Sequence, residues 1–408
     1  MSWRIAPSAR SRRGLDWLNF FVANAQTGFG PFIAVYLTAQ AWTLRDIGNV
    51  LAIGTLASMV SQIPGGAVVD ALRNKQLAAL AGGLAVAFSA LIFAFWPHWL
   101  PVLVAEILHG FASCILGPAI AAISLQLVGR AKLGERLGRN TSFAALGSGV
   151  AAAIFGASGT YVSERSVFYL TALLMLPGMI ALMAIAVPPA APASTPRAGR
   201  AKGTFLGQMA SLLSDRRVLI FAACILLFHL SNAAMLPLAA SEVTRSVGVW
   251  ASMVVAACIV LPQLGVAVIS PLIGRLADRR GRRLVLLLGF AALPARALLL
   301  ALISNPYALI PVQMLDGVSA GMFGVMLPLI AADLTVGTNR FNLCIGTLSL
   351  AMGIGAALST VIAGDVAQAF SPKIAFMVLG LAGLAATLLV LVAMPETRGA
   401  RDGTEAAP

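Results

Sequence analysis

Charge is scarce in this chain. Asp, Glu, Lys and Arg make up 11 % of its 408 residues, where a soluble domain carries about 25 %. With 59 % hydrophobic residues, too little polar surface is present to cover a water-soluble globule of this length. Histidine is rarer still. With only His98, His109 and His229 there is no His-x4-Asp or His-Glu-x-x-His cluster, which argues against an integral membrane enzyme. The four cysteines, Cys114, Cys224, Cys258 and Cys344, are isolated within apolar stretches. They form neither a disulfide framework nor a metal-ligand spacing. No GxxxxGK[ST] loop occurs, which excludes ATP-driven pumping within this chain. No catalytic residue, metal or cofactor is therefore expected.

Long apolar runs fill the rest. Twelve of them cover residues 15–40, 47–69, 77–95, 100–128, 137–159 and 167–187, then 218–240, 249–277, 284–303, 307–334, 341–364 and 374–394. A hydrocarbon core about 30 Å thick needs about 20 helical residues at about 1.5 Å each. Only helices and closed barrels satisfy their backbone polar groups in lipid. The chain is thus expected to be an all-α integral membrane protein with twelve transmembrane helices. The first run is too long for a signal-peptide core, and no small-residue cleavage site follows it, so it should persist as the first helix.

The net charge of +13 would fit nucleic acid, but its distribution points elsewhere. With both termini placed inside, 23 of the 28 Lys and Arg residues fall on the inner side. Arg45, Arg165, Arg245 and Lys373 fall outside, and Arg296 lies within a span. This is the positive-inside bias of a cytoplasmic membrane protein with cytoplasmic termini. Scattered over short loops, the charge makes no nucleic-acid surface. Arg in place of Lys and abundant Ala lean towards a bacterial inner membrane.

Between the sixth and seventh runs the pattern breaks. Pro188, Pro189, Pro192 and Pro196 precede a basic stretch that cannot bury apolar area. The expected organisation is a bundle over 1–187, a cytoplasmic linker over 188–216 and a second bundle over 217–408. Phe205, Leu206, Met209, Leu212 and Leu213 have the spacing of an amphipathic surface helix, with a disordered hinge as the alternative. The halves repeat weakly. Gly66…Asp70 matches Gly274…Asp278 and Asn24 matches Asn232 at an offset of 208, and His109-Gly110 matches Asp316-Gly317 at 207. Such repeats mark many transporter folds.

Gly274-Arg-Leu-Ala-Asp278-Arg-Arg-Gly281-Arg282-Arg283 joins the eighth and ninth runs. It resembles the signature loop of the major facilitator superfamily, GxLaDrxGrr, at every defining position. The resemblance extends over nearly the whole chain. It implies a monomeric secondary transporter with two pseudo-symmetric six-helix bundles around a central cavity. It also implies a cytoplasmic gate motif of Gly274, Asp278, Gly281, Arg282 and Arg283 with Asp333 on the tenth span. In the first half only Asp70 is kept, and Gln126 stands where Asp333 has its counterpart. An inner charge lock should therefore rest mainly on the second half. Two departures weigh against a standard multidrug/proton antiporter: Glu106 stands where drug-exporting branches carry Arg, and the fifth span has no Gly-Pro.

Polar residues at membrane depth are the site candidates, because a charge at the bilayer centre costs roughly 2.5–3.5 kcal/mol. Glu106 and His109 share a helix face at i,i+3 and make a reasonable proton-carrying couple, with Asp316 as a further candidate. Asn24, Gln26, His229, Asn232 and Gln263 are candidates to line a substrate cavity. Arg296 either snorkels outward or pairs with Asp316, and the pair is favoured because it would neutralise both. The expected function is secondary transport of a small solute, coupled to protons. Multidrug efflux is the alternative and a non-transporting sensor a remote one.

Overall fold

A computed structural model describes residues 8–72, 74–128, 133–186, 214–335 and 341–397. The linker read over 188–216 falls almost wholly outside the described residues, including its amphipathic stretch at 205–213. Among the described residues the regular structure is helical, without strands.

Every expected span falls on helix, but three of them are broken. The first is α1 (Ala9–Thr27) followed by α2 (Pro31–Ala39). Gly30, at φ +77°, turns the chain there, and Pro31 starts α2 where its missing N–H is not needed. Unbroken helices follow: α3 (Leu44–Ala71), α4 (Lys75–Phe95), α5 (Trp99–Val128), α6 (Leu133–Tyr161) and α7 (Glu164–Met183). The seventh span divides into α8 (Arg216–Asn232) and α9 (Met235–Val247). Asp215 caps α8, and the Arg217 guanidinium bonded to it holds its carboxyl below the usual carboxylate range. At the break after α8 the Ala234 N–H is satisfied by Ser359 Oγ at 3.0 Å. Next come α10 (Ala251–Arg280) and α11 (Arg282–Leu302). The tenth span starts with a 3-10 turn and the short α12 (Leu309–Val312) before α13 (Met314–Leu334). Last are α14 (Phe341–Ala369) and α15 (Pro372–Ala393).

Ten stretches of the described residues are long and apolar enough to cross a membrane, and one of them, Arg216–Val266, takes in the expected span 218–240 and the first part of 249–277. Large apolar side chains such as Phe88, Leu173, Ile180, Leu381 and Val392 are exposed along the helices. Patches of that extent are a liability in water and the natural surface in lipid.

Contacts divide the chain into two units: residues 1–41, 53–200 and 248–260, and residues 42–52, 201–247 and 261–408. The division is not the simple halving expected at the linker, because the N-terminal end of α3 joins the second unit and that of α10 the first. Within each unit the pairing is the same. In the first, α1 packs on α6 and α7, and α4 on α5 and α7. In the second, α8 packs on α14 and α15, and α11 on α13 and α15. The repeated glycines serve this pairing. A Cβ at Gly110 would lie 2.7 Å from the Gly54 carbonyl oxygen, and one at Gly317 would lie 2.9 Å from that of Pro262. Neither contact admits a side chain, so α5 lies directly on α3, and α13 on α10.

Candidate functional site

Some of the polar residues at membrane depth form one hydrogen-bonded group in each unit, next to the helix breaks. In the first unit Gln26 lies one turn before the break of the first span. Its Oε1 shares a 2.7 Å hydrogen bond with His109 Nε2, and its Nε2 donates to Ser113 Oγ at 3.0 Å. Because Oε1 only accepts, the imidazole donates from Nε2 and keeps Nδ1 as an acceptor. Phe29, inside the break, stacks flat on His109 with ring centroids 3.6 Å apart. Ser113 also donates to the His109 carbonyl at 2.8 Å, which ties it to its own helix.

Glu106 does not join this cluster. Residues three apart on a helix diverge enough to find different neighbours. The missing side chain of Gly54 leaves a slot on α3, and Glu106 Oε2 fills it, 1.9 Å from where a Cβ would stand. Glu106 is buried and its Oε1 has no hydrogen-bond partner. The expected Glu106–His109 couple is thus not formed as a hydrogen bond. Asn24 is also turned away. Its Nδ2 donates to the Phe20 carbonyl of its own helix at 3.2 Å.

In the second unit Arg296, 1 % exposed, donates from Nη1 to Asp316 Oδ1 at 2.6 Å and to Asn232 Oδ1 at 2.5 Å. Arg296 therefore faces into the protein and does not snorkel. Asn232 ends α8 at the break, and Asp316 lies in the first turn of α13 beside the other. His229, one turn before Asn232, sits edge-on to Phe228 and Phe323, with its Nε2 unpartnered. Gln263 is exposed and makes no hydrogen bond among the described residues. Gln313, which the sequence reading passed over, is fully buried with both amide atoms unpartnered. The repeat offset of 207 pairs it with Glu106, and that was the signal available.

At the ends of α3 and α10 the helical backbone carries Asp70, Gly274 and Asp278, whose side chains lie outside the described ones. Gly281, at φ +97°, makes the turn from α10 to α11. Arg282 is buried with its Nε on Asp333 Oδ2 at 3.2 Å. Glu396, from beyond α15, accepts the N–H groups of Arg282 at 2.8 Å and Arg283 at 3.2 Å. A carboxylate at a helix N-terminus satisfies orphan donors and meets the positive end of the dipole. Thr397 Oγ1 donates to Asp333 at 3.3 Å. Glu396 was missed because its partners are over a hundred residues away. Its only mark in the sequence is an acid just after the last apolar run.

The first unit has a charge cluster of its own, built from residues the motif does not contain. Asp16 on α1, buried, bonds Arg136 at 2.5 Å and Arg139 at 2.7 Å, both on α6. Arg136 also holds Asn140, which donates to Ser124. A buried ion pair is therefore present in each unit.

Paired apolar spans, helix breaks beside polar groups and a buried ion pair in each unit define a polytopic helical membrane protein. The Major Facilitator Superfamily profile matches residues 15–261 and 224–408. A Mycobacterium tuberculosis protein named as an uncharacterised MFS-type transporter is 37 % identical over 399 residues, 96 % of this chain and 95 % of its own. The class B tetracycline resistance protein of Escherichia coli is 31 % identical over 138 residues, 34 % of each chain. Among solved structures, a mutant of the nucleoside transporter NupG superposes with a TM-score of 0.81 at 15 % identity, covering 93 % of this chain and 98 % of that one. A mutant of the peptide transporter POT with alafosfalin superposes at 0.74 and 14 % identity, covering 99 % and 97 %. At such identities the structures speak for the fold alone. The chain belongs to the major facilitator superfamily. It is a multi-pass membrane transporter of small-molecule substrates and not an enzyme.

Proposed function

We propose that this protein is a proton-coupled secondary transporter of a small polar solute, acting by alternating access in a bacterial cytoplasmic membrane with both termini inside. One observation carries the coupling: Glu106 is a buried carboxyl group whose Oε1 has no hydrogen-bond partner, and which makes no ion pair, among the described residues. With a proton, it can lie in the Gly54 slot as an uncharged group. Without one, it needs a partner or water, because a lone charge in that setting is costly. A change of protonation then favours a change of conformation. Asp316 is a poorer carrier, because Arg296 already balances its charge.

Gln26, His109 and Ser113 offer donors and acceptors beside the flat Phe29 face, and His229 offers a free ring nitrogen. These groups suit an uncharged polar solute better than a multiply charged one. Breaks in the first, seventh and tenth spans place irregular backbone next to these side chains, as transporter sites do.

The test is uptake into proteoliposomes with and without an imposed pH gradient. Glu106→Gln keeps the shape and loses the titrating group. Gradient-driven accumulation is expected to disappear while solute counterflow, which needs no net proton movement, persists. Accumulation at the wild-type level in Glu106→Gln would remove this residue from the coupling site. Orientation has its own test. Cysteines at Glu164 and Lys373 are expected to react with an impermeant maleimide in intact cells, and one at Arg280 is not; the reverse pattern would invert the topology. The tetracycline resistance relative supports drug efflux as a second reading, for which deletion should lower the drug tolerance of the cell.

A further inference from the structure

The second unit carries a cleft away from the site, on the face opposite the basic loops. Its volume is about 280 Å³. Drug-sized sites run from about 300 to 1,000 Å³, so it suits a headgroup-sized ligand. Val243, Leu300, Leu309 and Phe376 are buried and form an apolar floor. The polar rim carries charges of both signs. Glu242 on α9 lines it. Lys373 at the start of α15 and the Ser304–Asn305 turn after α11 also line it.

These groups are available. Lys373 has no ion-pair partner among the described residues. Asn305 Oδ1 accepts the Tyr307 N–H at 3.0 Å, which leaves its amide NH2 to donate. Among the described residues Glu242 pairs with Arg245 at 3.4 Å, a long contact between half-exposed groups that adds little. The cleft thus offers an ammonium and an amide to an anion, and a carboxylate to a cation. Leu302 and Ile374, exposed beside the rim, continue the apolar surface outward, and Tyr307 and Phe370 are exposed near it as interfacial aromatics are. A soluble ligand would make no use of that apolar border, whereas acyl chains would cover it.

We propose that this cleft binds the headgroup of a phospholipid bearing a primary amine, with the phosphate on Lys373 and Asn305, the ammonium on Glu242, and the acyl chains over Leu302 and Ile374. The proposal is independent of the transported solute and of proton coupling.

The experiment is native mass spectrometry of the purified full chain with phosphatidylethanolamine, phosphatidylcholine or soluble phosphoethanolamine. Phosphatidylcholine keeps the phosphate and the positive charge but has no N–H to donate. Loss of a charge-assisted hydrogen bond is expected to lower retention about tenfold. Glu242→Gln changes a half-exposed side chain and Lys373→Gln an exposed one, and each should bring ethanolamine-lipid retention down to the choline-lipid level. Ser246→Trp, which closes the rim without touching either charge, should do the same. Equal retention of the two lipids by the wild-type protein would overturn the proposal. So would undiminished retention in all three variants, or binding of soluble phosphoethanolamine without any lipid adduct.

Discussion

Asp16→Asn is expected to be among the most damaging single changes in the first unit. The carboxylate is 2 % exposed and accepts from two arginines, at 2.5 Å from Arg136 and 2.7 to 3.1 Å from Arg139. Arg136 is itself 5 % exposed, so once the charge is lost its guanidinium keeps only neutral partners. Breaking a buried pair by removing one partner costs about 3–5 kcal/mol, mostly the penalty of the charge left behind. Arg139→Ala should be mild. Its side chain is 58 % exposed, and pairs of that kind contribute about 0–1 kcal/mol. Thermal unfolding of the purified variants checks the order. If Asp16→Asn unfolds at the same temperature as Arg139→Ala, the cluster is not a structural lock of α1 to α6.

For the Arg296–Asp316 pair the expected result is a double-mutant cycle that does not add up. Asp316→Asn leaves a fully buried guanidinium on two amides, and Arg296→Gln leaves the carboxylate without its cation. The first should cost about 3–5 kcal/mol. The second should fall at or below the lower end of that range, because Asp316 is 25 % exposed and water can reach it. The double variant contains no charge and should be more stable than either single one, with a coupling term of about 0.5–3 kcal/mol. Transport separates structure from mechanism. If Asp316 is only the counter-ion of Arg296, the double variant should recover gradient-driven uptake. Failure to recover, in a variant that folds, would give Asp316 or Arg296 a direct part in coupling or substrate binding.

The expected spans all meet helix, because the signal there is one-dimensional. A run of about 20 apolar residues states its own structure in lipid. The repeat was legible for the same reason, since offsets of 207 and 208 can be counted. Helix breaks were legible where the local chemistry is strong. Gly28-Phe-Gly-Pro31 announces the first. Ala233-Ala234 announces nothing, and the second depends on Ser359 from another helix. The Arg296–Asp316 pair could be read from depth alone, but Asn232 as its third member could not.

Side-chain partnership beyond one helix is where the sequence reading ended. Spacing put Glu106 beside His109, yet a bare Gly54 on one neighbour and Gln26 with Phe29 on another draw them apart. Motif matching located Arg282 and Asp333 but not Glu396, and it was blind to Asp16, Arg136 and Arg139. The sequence by itself determined the class, the spans and the family signature, because those follow from hydropathy and local pattern. Tertiary structure alone decided which buried polar groups are neutralised and which, such as Glu106 and Gln313, are left with unpartnered atoms. That choice depends on which helix faces which, at distances of about 3 Å.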